Sequence, residues 1–189
     1  MEFRQCTIAG VEYADVVEDA KRGERGPDGT YIGGQQTFEE LRRRLSEDEG
    51  READVVREFV ALLAVCHTVI PEVKDGQVIY QASSPDEAAL VSGAELLGFR
   101  FHTRKPRSIF VDVLGRDQEY QILNVCEFNS TRKRMSTIIR TPSGKIKLYC
   151  KGADTVIYER LAGNSPYAEA TTAHLEVRRP FSRSRAIPG

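Results

Sequence analysis

The sequence predicts an α+β fold in which an antiparallel sheet is flanked by helices. Three observations predict it. Helical apolar periodicities fill the first half of the chain. Runs with period-two alternation follow one another in the second half, and turn-forming residues join those runs at hairpin spacing. At 189 residues the chain is long enough for one domain with a real core, and it has no internal repeat.

Taken in order, Phe3–Val17 holds two short β-prone pieces around Ala9-Gly10, which predicts a hairpin. Residues 18–36 are charged, glycine-rich and nearly free of apolar side chains, and predict a mobile loop. Thr37–Ser46 reads as a short helix. Thr37 and Glu40 form a capping box, and Phe38, Leu41 and Leu45 share a face. Ala53–Val69 is the longest predicted helix, with Val55, Val56, Phe59, Val60, Leu62, Leu63 and Cys66 on a broad apolar stripe and Pro71 as its stop. Val78–Ala82 is a strand. Ser84 then caps a helix with Pro85 at its first position and Glu87 at its third, where the carboxylate can reach back to the Ser84 amide. Ala88, Leu90, Val91, Ala94 and Leu97 are its expected core face, and Gly98 its end.

Phe99–Thr103, Ile109–Leu114 and Glu119–Phe128 are successive strands, the last two joined through Gly115-Arg116-Asp117. A hairpin follows, Met135–Arg140 and Lys145–Lys151 around Thr141-Pro142-Ser143-Gly144, whose Pro and Gly positions suit a type I turn. Alternation puts Ile146, Leu148 and Cys150 on one face, and Lys145, Lys147, Tyr149 and Lys151 on the other. Lys151 is therefore expected to project from a polar face, away from the core. A helix over Ala153–Leu161 and another near 166–176 close the pattern. Val177–Gly189 has four arginines, two prolines and no alternation, which predicts a disordered or loosely laid tail and an open sheet edge.

Lys plus Arg number 27 and Asp plus Glu 28, so overall charge implies no polyanion such as nucleic acid as partner. Cys6, Cys66, Cys126 and Cys150 form no CxxC pair and lie in apolar-rich segments, the pattern of buried reduced thiols in a cytosolic domain. The longest apolar run, Phe59–Cys66, is eight residues. A membrane span needs about 20, and the first residues have no signal-peptide core, so the chain itself is expected to be soluble. His67 has no second histidine nearby to complete a metal site and reads as a polar residue near a helix end. There is no P-loop, dinucleotide fingerprint, HExxH or nucleophile elbow.

The stretch Cys126–Asp154 is the candidate site. Phe128 ends one strand and Lys151 another, with Gly152 beside the lysine. An aromatic plate, a cation and a residue that lets a ligand approach the backbone suit a planar base carrying phosphates. Each has a plainer reading too: Phe128 as core filling, Lys151 as a solvated strand-end lysine, and Arg132-Lys133-Arg134 as a solvated basic loop rather than a phosphate attractor.

Four ordered motifs then carry a resemblance. Ser84-Pro85-Asp86-Glu87-Ala88-Ala89-Leu90, Glu127-Phe128 with Arg132-Lys133-Arg134-Met135-Ser136, Lys151-Gly152-Ala153, and Asp154-Thr155-Val156-Ile157 resemble the SPDEAAL, EF…RKxMS, KGA and DTVI segments of the nucleotide-binding domain of P-type ATPases, most like the lipid-flipping branch. The similarity covers roughly Met1 to Glu176. It implies that residues 1–17 enter from the phosphorylation domain, that 18–176 form the nucleotide-binding domain, and that 177–189 depart from the pattern. The resemblance also implies ATP as ligand, with Phe128 stacking on adenine, Lys151 and Gly152 at the nucleotide, and Glu87 accepting from the adenine amino group, a role that competes with its cap role. Ser130 stands where calcium pumps have an arginine, as in the flippase branch; Asn129 and Ser130 are candidate donors to ribose or phosphate. No catalytic or metal-binding residue is expected in this chain, which lacks the DKTG loop. The resemblance further implies a parent enzyme that is an integral membrane protein with this part in the cytoplasm, using Mg²⁺ and carrying phosphorylation, actuator and transmembrane domains, with an accessory subunit as an optional partner. The competing reading is a module without nucleotide function, using loop 131–134 and hairpin 135–151 to bind a polyanion such as acidic lipid headgroups.

Overall fold

A computed structural model describes residues 1–18, 24–25, 27, 31–32, 34–74 and 77–177. The expected tail beyond 177, and much of the expected mobile loop, lie outside the described residues. The chain opens on the predicted hairpin, β1 (Gln5–Ile8) and β2 (Val11–Ala14), turned through Ala9 and Gly10 at φ 51° and 77°. Strands β3 (Glu24–Arg25) and β4 (Tyr31–Ile32) pair with each other, and β5 (Gln35–Thr37) runs parallel to β2. These strands fall in a segment nearly free of apolar side chains: β5 carries Gln35 and a 2% exposed Gln36, so no apolar alternation marks it.

Helix α1 (Phe38–Glu47) begins as expected. The Thr37 hydroxyl accepts from the Glu40 amide, and the Glu40 carboxylate accepts from the Thr37 amide. Phe38, Leu41 and Leu45 are buried on one face. Helix α2 (Arg51–Val65) ends at Cys66, short of the expected Val69, and β6 (Ile70–Lys74) takes in Pro71 before pairing with β7 (Gln77–Gln81). Pro71 is thus a residue of a short hairpin, where a missing amide is tolerated, and not the helix stop.

Helix α3 (Pro85–Leu96) is capped by Ser84, whose hydroxyl accepts from the Asp86 amide. Its buried face is Glu87, Ala89, Val91, Gly93 and Ala94, completed by Leu97; Ala88 and Leu90 are half-buried. A Cβ on Gly93 would fall 2.5 Å from Phe3 Cγ, so the bare backbone there seats the N-terminal segment on the helix.

The main sheet holds β8 (Phe99–Lys105), β9 (Ser108–Val113), β10 (Arg116–Asn129), β11 (Arg134–Arg140) and β12 (Ile146–Gly152), all antiparallel in the order β12-β11-β10-β9-β8. The β9–β10 connection is tighter than the sequence implied: Leu114 and Gly115, at φ 51° and 83°, make a two-residue turn and Arg116 is already strand. The β11–β12 turn has the predicted bond, Gly144 N–H to Thr141 O at 2.8 Å. Helices α2 and α3 cover one face of the sheet, where Phe101, Ile109, Val111 and Ile139 meet Val56, Val60, Val91 and Leu97 in a single core. Two further helices, α4 (Asp154–Tyr158) and α5 (Ala168–Val177), follow β12, and α5 rests on β1 through Thr7 and His174. No helix among the described residues is long and apolar enough to cross a membrane.

The faces of β12 are the reverse of the expectation. Tyr149 is 6% exposed, whereas Ile146 and Leu148 are 60% and 62% exposed. Lys147, Tyr149 and Lys151 therefore point to the helix side. The reason is a polar partner: Glu58 on α2 accepts from both Lys147 Nζ and the Tyr149 hydroxyl. A large aromatic with a satisfied hydroxyl fills the gap that a branched aliphatic would otherwise take. The thiols divide likewise. Cys6 and Cys66 are buried, but Cys126 and Cys150, on the open face, are half-buried.

His67 closes the end of α2. It is 1% exposed; its Nδ1 accepts from the Val69 amide at 3.2 Å and its Nε2 donates to Ala64 O at 2.8 Å, which fixes the neutral tautomer. Burial, reinforced by the Arg104 cation, holds its pKa down at about 3 from 6.5. The unfolded chain takes up this proton near pH 6.5 and the folded chain does not. His67 thus contributes stability that is full above pH 6.5 and lost as pH falls toward 3, at about 1.4 kcal/mol per pH unit. In urea melts between pH 7 and 4, His67→Gln should start less stable and show a shallower loss; an unchanged slope would contradict this state of the imidazole.

Candidate functional site

A cleft of about 600 Å³ opens between the N-terminus of α3 and the adjoining ends of β10, β11 and β12. Thr68, Ser83, Ser84, Asp86, Glu87, Leu90, Glu127, Phe128, Met135, Lys151 and Gly152 line it. Its size and mixed lining suit a small organic ligand.

Strand register builds the sheet side of this cleft. Lys151 on β12 stands directly opposite Met135 on β11. Between β11 and β10 the register shifts: Ser136 opposes Cys126 and Arg134 opposes Asn129, so Glu127 and Phe128 together face the single Met135. This is a bulge, which bends a strand and re-aims its side chains. Both Glu127 and Phe128 consequently border the cleft, and Phe128 stands 65% exposed instead of filling the core. Met135, 3% exposed, forms an apolar floor beside it.

Glu87 supplies the polar side. Its carboxylate does not reach back to the Ser84 amide as the capping-box reading expects. It turns toward the end of α2, where Thr68 N–H donates to Oε1 at 3.1 Å and Thr68 Oγ1 donates to Oε2 at 2.9 Å. Lys151 Nζ lies 3.5 Å from Oε1, with side-chain exposures of 19% for the lysine and 10% for the glutamate. The cap is left to Ser84 alone, and the carboxylate is free to face the cavity. Lys151 is accordingly no solvated lysine on an outer face; it is a largely buried cation paired inside the cleft.

Residues 55–163 match the family described as P-type ATPase, cytoplasmic domain N. The chain belongs to this family. Among similar proteins, Phospholipid-transporting ATPase C887.12 of Schizosaccharomyces pombe is 50% identical over 180 residues, 93% of this chain and 14% of that protein. Phospholipid-transporting ATPase DRS2 of Saccharomyces cerevisiae is 50% identical over 180 residues, 93% of this chain and 13% of its own length. Human Phospholipid-transporting ATPase IC is 43% identical over 183 residues, 94% of this chain and 14% of that protein. The chain thus spans about one-seventh of the length of the relatives it matches. Its resemblance to the phospholipid-transporting branch holds at 43–50% identity over nearly all of its length.

Within this N domain, four of the six residues singled out from the sequence line one cleft: Glu87, Phe128, Lys151 and Gly152. The other two do not. Asn129 Oδ1 accepts from the Thr131 and Arg132 amides at 2.8 and 3.3 Å, which occupies it in shaping the loop, and Ser130 lies exposed beyond the cleft lining. Leu90, Glu127 and Met135 belong to the motifs quoted from the sequence but are not among the residues singled out for the site, and Thr68 carries no sequence signal of its own; α3, the bulge and the turn after α2 bring them to the cleft. Among the described residues no group of three or more His, Cys, Asp and Glu side chains is placed to hold a metal ion.

Gly152 has a structural task beyond leaving room for a ligand. A Cβ there would lie 2.5 Å from Lys133 O and 2.6 Å from Arg134 Cβ. Lys133, at φ 51°, turns its carbonyl to accept from Ala153 N–H at 3.0 Å, and this close crossing ties the end of β12 to the start of β11. Gly152→Ala should therefore cost about 1–3 kcal/mol by overpacking, read as a lower urea midpoint. A midpoint equal to the parent's would show that the loop yields freely.

Proposed function

We propose that this N domain holds ATP by its adenine base and presents the triphosphate to an aspartate in a separate phosphorylation domain of a phospholipid-transporting ATPase. The observation that carries this reading is the convergence of Phe128, Glu87 and Lys151, far apart in sequence, on one cleft of about 600 Å³. Each matches one part of the nucleotide. The exposed Phe128 ring offers a face for stacking, which contributes about 1–3 kcal/mol per base where measured. Glu87, a carboxylate, only accepts hydrogen bonds, and adenine presents an amino donor where guanine presents a carbonyl. Lys151 supplies a cation beside the base and phosphates. Asn129 and Ser130, just beyond the lining, remain candidate donors to the ribose or phosphates.

The chain's share of the reaction is positioning. It raises the effective concentration of the γ-phosphate at an acceptor that it does not itself contain. Mg²⁺ arriving with the triphosphate would supply charge neutralisation at the transferred phosphate. In the whole enzyme this domain would sit on the cytoplasmic side, joined to phosphorylation, actuator and transmembrane domains, with an accessory subunit as a further partner.

The basic loop supports the rival polyanion reading weakly. Arg132 donates to Glu127 O at 3.2 Å and Arg134 to Arg132 O at 3.1 Å, so the cluster spends donors on its own backbone. Titrating the chain with ATP, ADP, GTP and inorganic polyphosphate separates the two readings. ATP and ADP should bind nearly alike and ahead of GTP, whereas an order set by charge alone would favour a polyanion site. Phe128→Ala should weaken ATP by about 1–3 kcal/mol and leave the urea midpoint unchanged, because the ring is already out of the core. Unaltered ATP affinity in that variant would remove the ring from the site.

A further inference from the structure

We propose that Thr68, held in place by Arg104, is the positioning residue that aims Glu87 at the base and thereby sets a preference for adenine. The inference rests on the cleft taking an adenine base.

Thr68 meets both oxygens of the same carboxylate, its amide on Oε1 and its hydroxyl on Oε2. Two donors from one residue fix the plane of the carboxylate as well as its position. Each carboxylate oxygen accepts two hydrogen bonds. Oε1 has the Thr68 amide and Lys151 Nζ, whereas Oε2 has only the Thr68 hydroxyl among the described residues. The remaining acceptor direction on Oε2 is therefore the one offered to a ligand amine. Its orientation is dictated by the hydroxyl on the other lone pair.

Thr68 in turn is held on both flanks by one side chain from β8. Arg104 Nη2 donates to His67 O at 2.6 Å, and Arg104 Nε donates to Val69 O at 2.9 Å. The guanidinium thus straddles Thr68, gripping the carbonyl before it and the carbonyl after it. The His67 ring accepts from the Val69 amide and closes the same turn. The carbonyls of His67 and Val69 and the Val69 amide are thus partnered within this turn, and the Thr68 amide is the one directed at Glu87. A guanidinium with its donors in a rigid fork is suited to this, and a lysine is not.

A side chain that merely supported the fold would affect all nucleotides alike. Thr68 acting through Glu87 affects the base that donates to Glu87. Thr68→Val keeps the shape and deletes the hydroxyl. ATP affinity should fall about tenfold, the scale of one hydrogen bond to a charged group, while GTP affinity moves less than about twofold on the same scale. Thr68→Ser should restore the parent ratio, and Arg104→Lys should lower it in the same direction as Thr68→Val. In a Glu87→Gln background Thr68→Val should change ATP affinity little, since its route is gone. Should Thr68→Val fail to fold, Thr68→Ala takes its place in the same comparison. An ATP-to-GTP ratio unchanged by Thr68→Val, or an equal loss for both nucleotides, overturns the inference while leaving the adenine site standing. A parent chain that does not prefer ATP to GTP overturns the adenine reading, and this inference with it.

Discussion

A carboxylate kept at 10% exposure is the constraint around which this domain's cleft is arranged. Taking an ionised group out of water is costly unless partners replace the lost hydration. Glu87 draws its partners from three elements: the turn after α2, the end of β12, and its own position in the first turn of α3, where the helix dipole favours negative charge. None of these suffices alone. Thr68 must leave α2 at the right angle, so α2 must end at Cys66 and not run on. Lys151 must reach inward, so the lysine face of β12 must be the covered face. The neutral His67 and the half-buried Arg104 behind Thr68 extend the same requirement one layer deeper.

How much of this was legible in the sequence depends on whether the deciding interaction is local. The Thr37–Glu40 box, the Ser84 cap and the Thr141–Gly144 turn are set within four residues, and each is found where the sequence places it. Alternation on β12 was legible too, but alternation defines two faces without saying which is inward. Glu58, nearly ninety residues away, decides that by accepting from Lys147 and Tyr149. Phe128 is similar. A strand-end phenylalanine reads first as core filling, and the two-against-one pairing with Met135 leaves the ring 65% exposed instead. Thr68 had no signal beyond being a hydroxyl in the last turn of the expected helix, because its meaning lies in Glu87 and Arg104.

Among the described residues α2 and α3 cover one side of the sheet, and the other side has a consistent chemistry. Ile138 and Leu148 pair across β11 and β12, and Cys126, Ser136 and Cys150 form a row across three strands. These cross-strand pairs shield one another partly, which fits the half-burial of Cys126 and Cys150. Among the described residues β12 pairs with β11 alone. The placement of Lys151 therefore depends on a single ladder. The crossing of Gly152 over Lys133 and Arg134 pins that ladder at the end where it matters. A register slip of one residue would send Lys151 to the open side and bring Cys150 to the cleft.

The two halves of the cleft also differ in when their free energy is settled. Thr68, Glu87, Lys151 and Met135 are satisfied or buried in the chain as it stands, so their ordering belongs to folding. Phe128 is the opposite: an aromatic ring 65% exposed on a bulged strand gains little from folding. Its apolar surface leaves water only when something flat covers it. Polar groups fixed in advance add little ordering cost at the moment of association, which favours selectivity. On the proposed adenine reading, the ring, whose burial would come with the ligand, would supply affinity. Recognition would then be carried by the helix side of the cleft and grip by the bulge, and substitutions on the two sides should separate accordingly.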